Sequence, residues 1–163
     1  MAGSFHQIYI QIVFAVKGRQ ALISKTWEEQ LYKYMTGIIQ GKDQKMIAIN
    51  GVRDHVHLLI GMKPTCCLSD LVREVKKSSN EFVNQHRLVR GKFNWQDGYG
   101  AFSYSHSDLD HVAQYVMNQK KHHRTKTFEE EYRQLLDEFQ VPYKREYLFE
   151  WIDTPYSECI DDL

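Results

Sequence analysis

The chain has 163 residues, 42% of them hydrophobic, which suits a single domain with a real core. No apolar run approaches the ~20 residues of a membrane span, and the first apolar stretch is interrupted by Gln11 with no basic segment before it, which argues against a signal peptide. Net charge is zero, but residues 1–126 hold 18 Lys/Arg against 10 Asp/Glu and residues 127–163 hold 3 against 11, so a basic body precedes an acidic tail.

That basic body suits a polyanion, although charge alone equally fits an ordinary solvated surface. There are three cysteines, and Cys66 and Cys67 are adjacent. This pattern fits free thiols in a reducing cytoplasm and not a disulfide framework.

Residues 5–16 alternate Ile8, Ile10, Ile12 and Phe14 with Tyr9, Gln11 and Val13, a strand with one strongly apolar face. Thr26 with Glu29 predicts a capping box opening an amphipathic helix over 27–40, stopped near Gly41. Residues 45–51 and 55–62 read as two strands joined by a turn around Val52-Arg53-Asp54. A second helix over 68–87 follows, with Leu68, Leu71, Val72, Val75, Phe82 and Val83 as its buried stripe. The aromatic, Gly-rich stretch 93–104 holds a fourth strand. Strand, helix, strand, strand, helix, strand is the order of an α+β, ferredoxin-like antiparallel sheet with both helices on one face and the other face open. Two further helices are predicted, over 108–121 with Ser107 as cap, and over 128–139 with Thr127 and Glu130 as a capping box. Pro142 ends the second, which divides the chain into a domain at 1–142 and an acidic, aromatic extension at 143–163.

His55 and His57 stand two apart on a strand and so share a face, opposite Val56, Leu58 and Ile60. Two imidazoles placed this way either converge on one metal ion or simply line a polar sheet face. Cys66 and Cys67 lack the spacing of a zinc site and read as inert helix-entry residues. Tyr115 and Gln119 are four apart on the expected 108–121 helix and present one face, with Val112 and Val116 buried beside them. By spacing alone, Tyr115 is a packing residue. His122 and His123 read as polar helix-end residues, with a second metal site as the alternative.

DHVHLLI at 54–60 followed by YVMNQ at 115–119 resembles the HUH single-tyrosine transposases of small insertion sequences, the TnpA type, in which two histidines flank a hydrophobic residue. The similarity extends from Lys17-Gly18-Arg19 to about residue 125 and includes WQDGYGAFSYS at 95–105. The resemblance implies that Tyr115 is a nucleophile that forms a 5′-phosphotyrosine with single-stranded DNA. It implies a divalent ion, Mg2+ or Mn2+, held by His55, His57 and Gln119. It also implies a homodimer and recognition of DNA hairpin ends, for which Lys17, Arg19, Arg53, Lys76, Lys77, Lys120, Lys121 and Arg124 are the candidate contacts. No P-loop is present, and strand transfer needs no nucleotide cofactor. Three other readings are a domesticated repeat-associated or replication nickase sharing the motif, an RRM-like RNA-binding module, and a small metal-dependent hydrolase. The strand HVHLLI lacks the stacking aromatics that the RNA-binding reading requires.

Overall fold

A computed structural model describes residues 2–18 and 22–152. Strands β1 (Tyr9–Ala15), β2 (Lys45–Gly51), β3 (His55–Gly61) and β4 (Gly100–Tyr104) form one antiparallel sheet in the order β2-β3-β1-β4. Helices α1 (Glu28–Gly41) and α2 (Leu68–Gln85) follow β1 and β3, so the expected ferredoxin-like order holds. Three shorter α-helices follow among the described residues: α3 (Leu109–Met117), α4 (Gln119–His122) and α5 (Phe128–Glu138).

The register explains how the two faces divide. Ile10 pairs with Ile60, Ile12 with Leu58 and Phe14 with Val56. These residues pack with Leu31, Met35 and Ile39 of α1 and Leu71, Val72, Val75 and Val83 of α2 into the main core. The alternate positions pair Gln11 with Leu59, Val13 with His57 and Ala15 with His55. Both histidines therefore lie on the face away from α1 and α2, as period-two alternation requires.

That face is not open. Val112 and Val116 of α3 pack with Ala48 and Leu59, while the ring of Phe139, just past α5, lies tilted against Phe102 and edge-on to Tyr104. Gly100 is required for the approach of α5, because a Cβ there would meet the Tyr132 ring and hydroxyl at 2.8 Å. An open face was expected because the sheet-forming segments carry no sign of what later helices cover. His55 and His57 are instead fully buried.

Local capping differs from expectation in two places. Trp27 is the N-cap of α1 and makes no side-chain cap bond. The Ser24 hydroxyl takes the Thr26 backbone N–H and lies 2.9 Å from the Thr26 hydroxyl, so no Thr26–Glu29 box forms. The predicted 108–121 helix is broken: Ser107 lies in a 3-10 turn at His106–Asp108, and Asn118, with φ −97° and ψ 17°, separates α3 from α4. The Thr127–Glu130 capping box of α5 is present.

Residues just beyond Pro142 fold back on the body. Phe149 packs on Phe128 and Tyr132. The Gln96 side chain donates to the Glu150 carbonyl and accepts its N–H, both at 2.7 Å. Arg19 and residues 153–163 lie outside the described residues.

Candidate active site

The adjacent Asp54 carboxylate fixes His55. Its Oδ1 lies 2.7 Å from His55 Nδ1, which turns Nε2 inward. His57 Nδ1 meets the Gln11 amide at 2.7 Å, and the Tyr104 hydroxyl donates to Gln11 beyond it. The Phe128 ring stacks on His55 at 3.8 Å. Both imidazoles are thus held at both ends, by the sheet below and the C-terminal helices above.

The two nitrogens face a cluster contributed by those helices. His55 Nε2 is 3.2 Å from Gln119 Oε1 and 3.3 Å from Glu131 Oε1. His57 Nε2 is 2.9 Å from the same Glu131 oxygen. His123 Nε2 lies 3.0 Å from Gln119 Oε1 and 3.1 Å from Glu131 Oε1. The other Glu131 oxygen accepts the Tyr115 hydroxyl and, at 3.1 Å, the Gln119 amide N–H. Tyr115 sits at the edge of the cluster, half-buried, with its ring centroid 5.9 Å from that of His57. Tyr115 and Gln119 come together as the four-residue spacing suggested, although they ride on two helical segments and not one.

Electrostatics in the cluster follow from burial and close pairing. Burial opposes a charge on His55, but the Asp54 and Glu131 carboxylates outweigh it and carry its pKa up to about 9. Burial keeps His57 below the ordinary imidazole value. Burial works against the Glu131 charge too, yet His57, His123 and His55 around it hold its carboxyl well below the usual carboxylate range. Burial and the Glu131 carboxylate push the Tyr115 hydroxyl well above the usual phenol value.

His55, His57 and Glu131 offer ligand atoms all within 4.8 Å of one another, a grouping that can hold a metal ion. The chemistry of the donors fits one. An ion with bonds of about 2.1 Å places adjacent ligands about 3 Å apart, and the cluster's inner atoms are separated by 2.9–3.3 Å.

Glu131 was not legible as a site residue, and His123 read first as a polar helix-end residue, with a second metal site as the alternative. Glu131 is the third of three consecutive glutamates in the first turn of α5, a run that reads as a solvated face. Its burial at 3% exposure is set by tertiary packing that no local pattern reveals. For His123 the signal was a second histidine pair in the sequence, without any indication that the chain folds this one inward.

The basic candidates divide. Lys17, Lys77, Lys121 and Arg124 are exposed. The Lys120 ammonium pairs with Glu28 at 2.9 Å and reaches Asn50 Oδ1 at 3.3 Å. Lys76 donates to the carbonyls of Gln96 and Gly98, both at 2.7 Å. Arg53 is half-buried in the β2–β3 turn, where its carbonyl accepts the Ile23 N–H.

A ferredoxin-like sheet that presents a buried histidine pair to a tyrosine-bearing helix is the frame of an HUH-type DNA-processing protein. The sequence profile described as "Transposase IS200 like" matches residues 4–119, and the chain belongs to that family of DNA-cleaving and strand-transferring enzymes. Two solved structures share the fold. One is a candidate transposase from Deinococcus radiodurans R1, with 21% identity and TM-score 0.59 over 73% of this chain and 95% of that one. The other is a REP-associated tyrosine transposase bound to a REP hairpin, with 15% identity and TM-score 0.55 over 94% and 95% of the two chains. No curated protein matches the chain. Among the described residues, no helix is long and apolar enough to cross a membrane.

Proposed function

We propose that this transposase nicks and rejoins single-stranded DNA through Tyr115, beside a divalent ion held by His55, His57 and Gln119. The observation that carries the reading is the convergence of the Tyr115 hydroxyl and both inward imidazole nitrogens on one carboxylate, that of Glu131. A bound ion would polarise the scissile phosphate and stabilise charge on the departing oxygen.

The chain's own residues do the rest. Tyr115 Oη attacks phosphorus, the bond to the 3′-oxygen breaks, and a 5′-phosphotyrosine remains. The Tyr115 proton starts on the hydrogen bond to Glu131 and ends on the departing 3′-oxygen. The Glu131 carboxylate that accepts the Tyr115 hydroxyl is placed to take its proton as Oη attacks and to pass it on. Rejoining is the reverse: a 3′-hydroxyl attacks the phosphotyrosine and Tyr115 recovers its proton. Phosphodiester bond energy is conserved in the adduct.

The substrate in this reading is single-stranded DNA flanked by hairpins, in keeping with the REP hairpin bound in the similar REP-associated structure. The exposed Lys17, Lys77, Lys121 and Arg124 supply contacts to its backbone. Two DNA ends must meet for exchange, which two copies of the chain would provide. Each copy already brings its own Tyr115 to its own histidine pair. A role at genomic repeats is the second reading, supported by a match with the REP-associated protein that runs over nearly the whole of both chains.

The test is incubation of the purified chain with single-stranded DNA carrying the element's ends, followed by mass spectrometry of the trapped adduct. A nucleotide is expected on Tyr115. A nucleotide on any other residue, or undiminished cleavage by Tyr115→Phe, overturns the assignment.

A further inference from the structure

The family profile ends at Gln119, whereas His123 and Glu131 lie beyond it and still reach the centre of the cluster. We propose that His123 and Glu131 are metal ligands as well, so that three imidazoles, one amide and one carboxylate cage the ion and select a first-row transition ion over Mg2+. This inference rests on the metal-assisted reading of the site and adds to it the identity of the ion.

The convergence of side chains within the cluster carries the argument. His123 Nδ1 lies 2.7 Å from the Lys126 carbonyl, which can only accept, so Nδ1 bears the hydrogen. His123 Nε2 points inward and lies 3.0 Å from Gln119 Oε1 and 3.1 Å from Glu131 Oε1. His55 repeats the pattern, with Nδ1 on Asp54 and Nε2 facing the same two oxygens. The Nε2 atoms of His55, His57 and His123, Gln119 Oε1 and Glu131 Oε1 converge on one buried point with separations of 2.9–3.3 Å, the donor set and spacing of a cation site. Imidazoles that donate their outer N–H to a carboxylate or a carbonyl are the usual mark of metal ligands.

The chain holds these two residues rigidly. Thr127 and Glu130 close the capping box that sets the first turn of α5, from which Glu131 projects. Phe128, one turn earlier, stacks on His55. The neighbouring Glu129 and Glu130 are not buried, so Glu131 alone of the three turns inward. Selectivity follows from the donors. Affinity of a mixed nitrogen and oxygen site rises along the first row from Mn2+, and imidazole suits Zn2+ and Fe2+ best, whereas Mg2+ keeps several waters and prefers oxygen throughout. A buried cage of this composition leaves little room for such a hydration shell.

The experiment is calorimetric titration of the chelator-stripped full chain, without DNA, with MnCl2, ZnCl2 or MgCl2. One ion per chain is expected, with Mn2+ and Zn2+ at least about tenfold tighter than Mg2+. Glu131→Gln and His123→Ala should each weaken Mn2+ by at least about tenfold, since losing even a group that only supports a ligand costs about 10–100-fold, and His55→Ala should abolish binding. If His55→Ala abolishes binding while Glu131→Gln and His123→Ala match the parent, the cage falls and the metal-assisted reading stands. If His55→Ala also matches the parent, both fall. Mg2+ binding as tight as Mn2+ overturns the selectivity. Anomalous diffraction from Mn2+-soaked crystals of the unaltered chain decides independently of any variant's folding: the peak must lie within bonding distance of Glu131 Oε1 and His123 Nε2.

Discussion

The Tyr115 hydroxyl donates to one oxygen of Glu131, and the other oxygen of the same carboxylate faces the inward nitrogens of His55, His57 and His123. One residue thus links the hydroxyl that would attack to the histidines that would hold the ion. Tyr115→Phe breaks the link on one side only. The ring keeps its contacts with His57 and His122, and Glu131 keeps the Gln119 amide as a donor. The Phe variant is expected to lose the covalent adduct and cleavage entirely while retaining Mn2+ affinity within about twofold. Its melting temperature should fall by only a few degrees, consistent with one hydrogen bond of about 1–3 kcal/mol. Cleavage, titration and melting curves check the three parts separately.

The metal-free protein should lose stability as pH rises from neutral to alkaline. His55 has a folded pKa near 9 against an unfolded value near 6.5. Its stabilising contribution is therefore complete below about pH 6.5 and is lost as pH climbs through 9, a change of up to about 3 kcal/mol. Glu131, with a depressed pKa, contributes in the opposite sense: its stabilisation is present above about pH 4.5 and is lost as pH falls through its folded pKa. His57, lowered by burial, also disfavours acid. Thermal melts in EDTA between pH 6.5 and 9 should show the decline, and Asp54→Asn should flatten it. A parent melting temperature that is constant across that window contradicts the account.

Basic residues should separate into two groups. Lys120 ties α4 to α1 through Glu28, with the Glu28 side chain 15% exposed, so Lys120→Ala is expected to destabilise the fold by about 1–2 kcal/mol. Lys121→Ala and Arg124→Ala should leave the melting temperature within about a degree. Each should weaken hairpin DNA binding and lower the salt dependence of affinity by roughly one counterion. Fluorescence anisotropy over a series of salt concentrations measures this. Equal salt slopes for the parent and Lys121→Ala would remove that residue from the interface.

Phe149→Ala should cost about 3–5 kcal/mol, the range for a buried phenylalanine, and should also loosen the metal site. Phe149 supports Phe128, which in turn stacks on His55. Truncation after residue 142 is expected to act in the same way and more strongly. Melting curves with and without Mn2+ read both effects; a truncated chain with the parent's melting temperature would show that the segment is dispensable.

The sheet and its two flanking helices were legible because Ile10, Ile12 and Phe14 alternate cleanly and because Leu71, Val72 and Val75 repeat at helical spacing. The positions of His55 and His57 followed from the same alternation. Legibility ended where long-range packing decides. Nothing near Asn118 in the sequence marks a helix break, and a hydrogen-bonded turn there competes with the helix that Val112 and Val116 suggest. The inward turn of Glu131 depends on partners up to 76 positions away in sequence, such as His55. Local periodicity carries no information over that distance.

The pairing of β1 with β3 sets Ala15 opposite His55 and Val13 opposite His57. A slip of one residue would exchange the faces. His55 and His57 would then enter the apolar layer beneath α1 and α2, and Val56 and Leu58 would confront Glu131. Such a chain would fail to fold before it failed to cleave. The position of each chemical group is in this sense a matter of counting residues along two strands. Substitutions around the rim of the site can be explored singly, whereas insertions and deletions within β1 or β3 are filtered out by folding itself, ahead of any selection on cleavage.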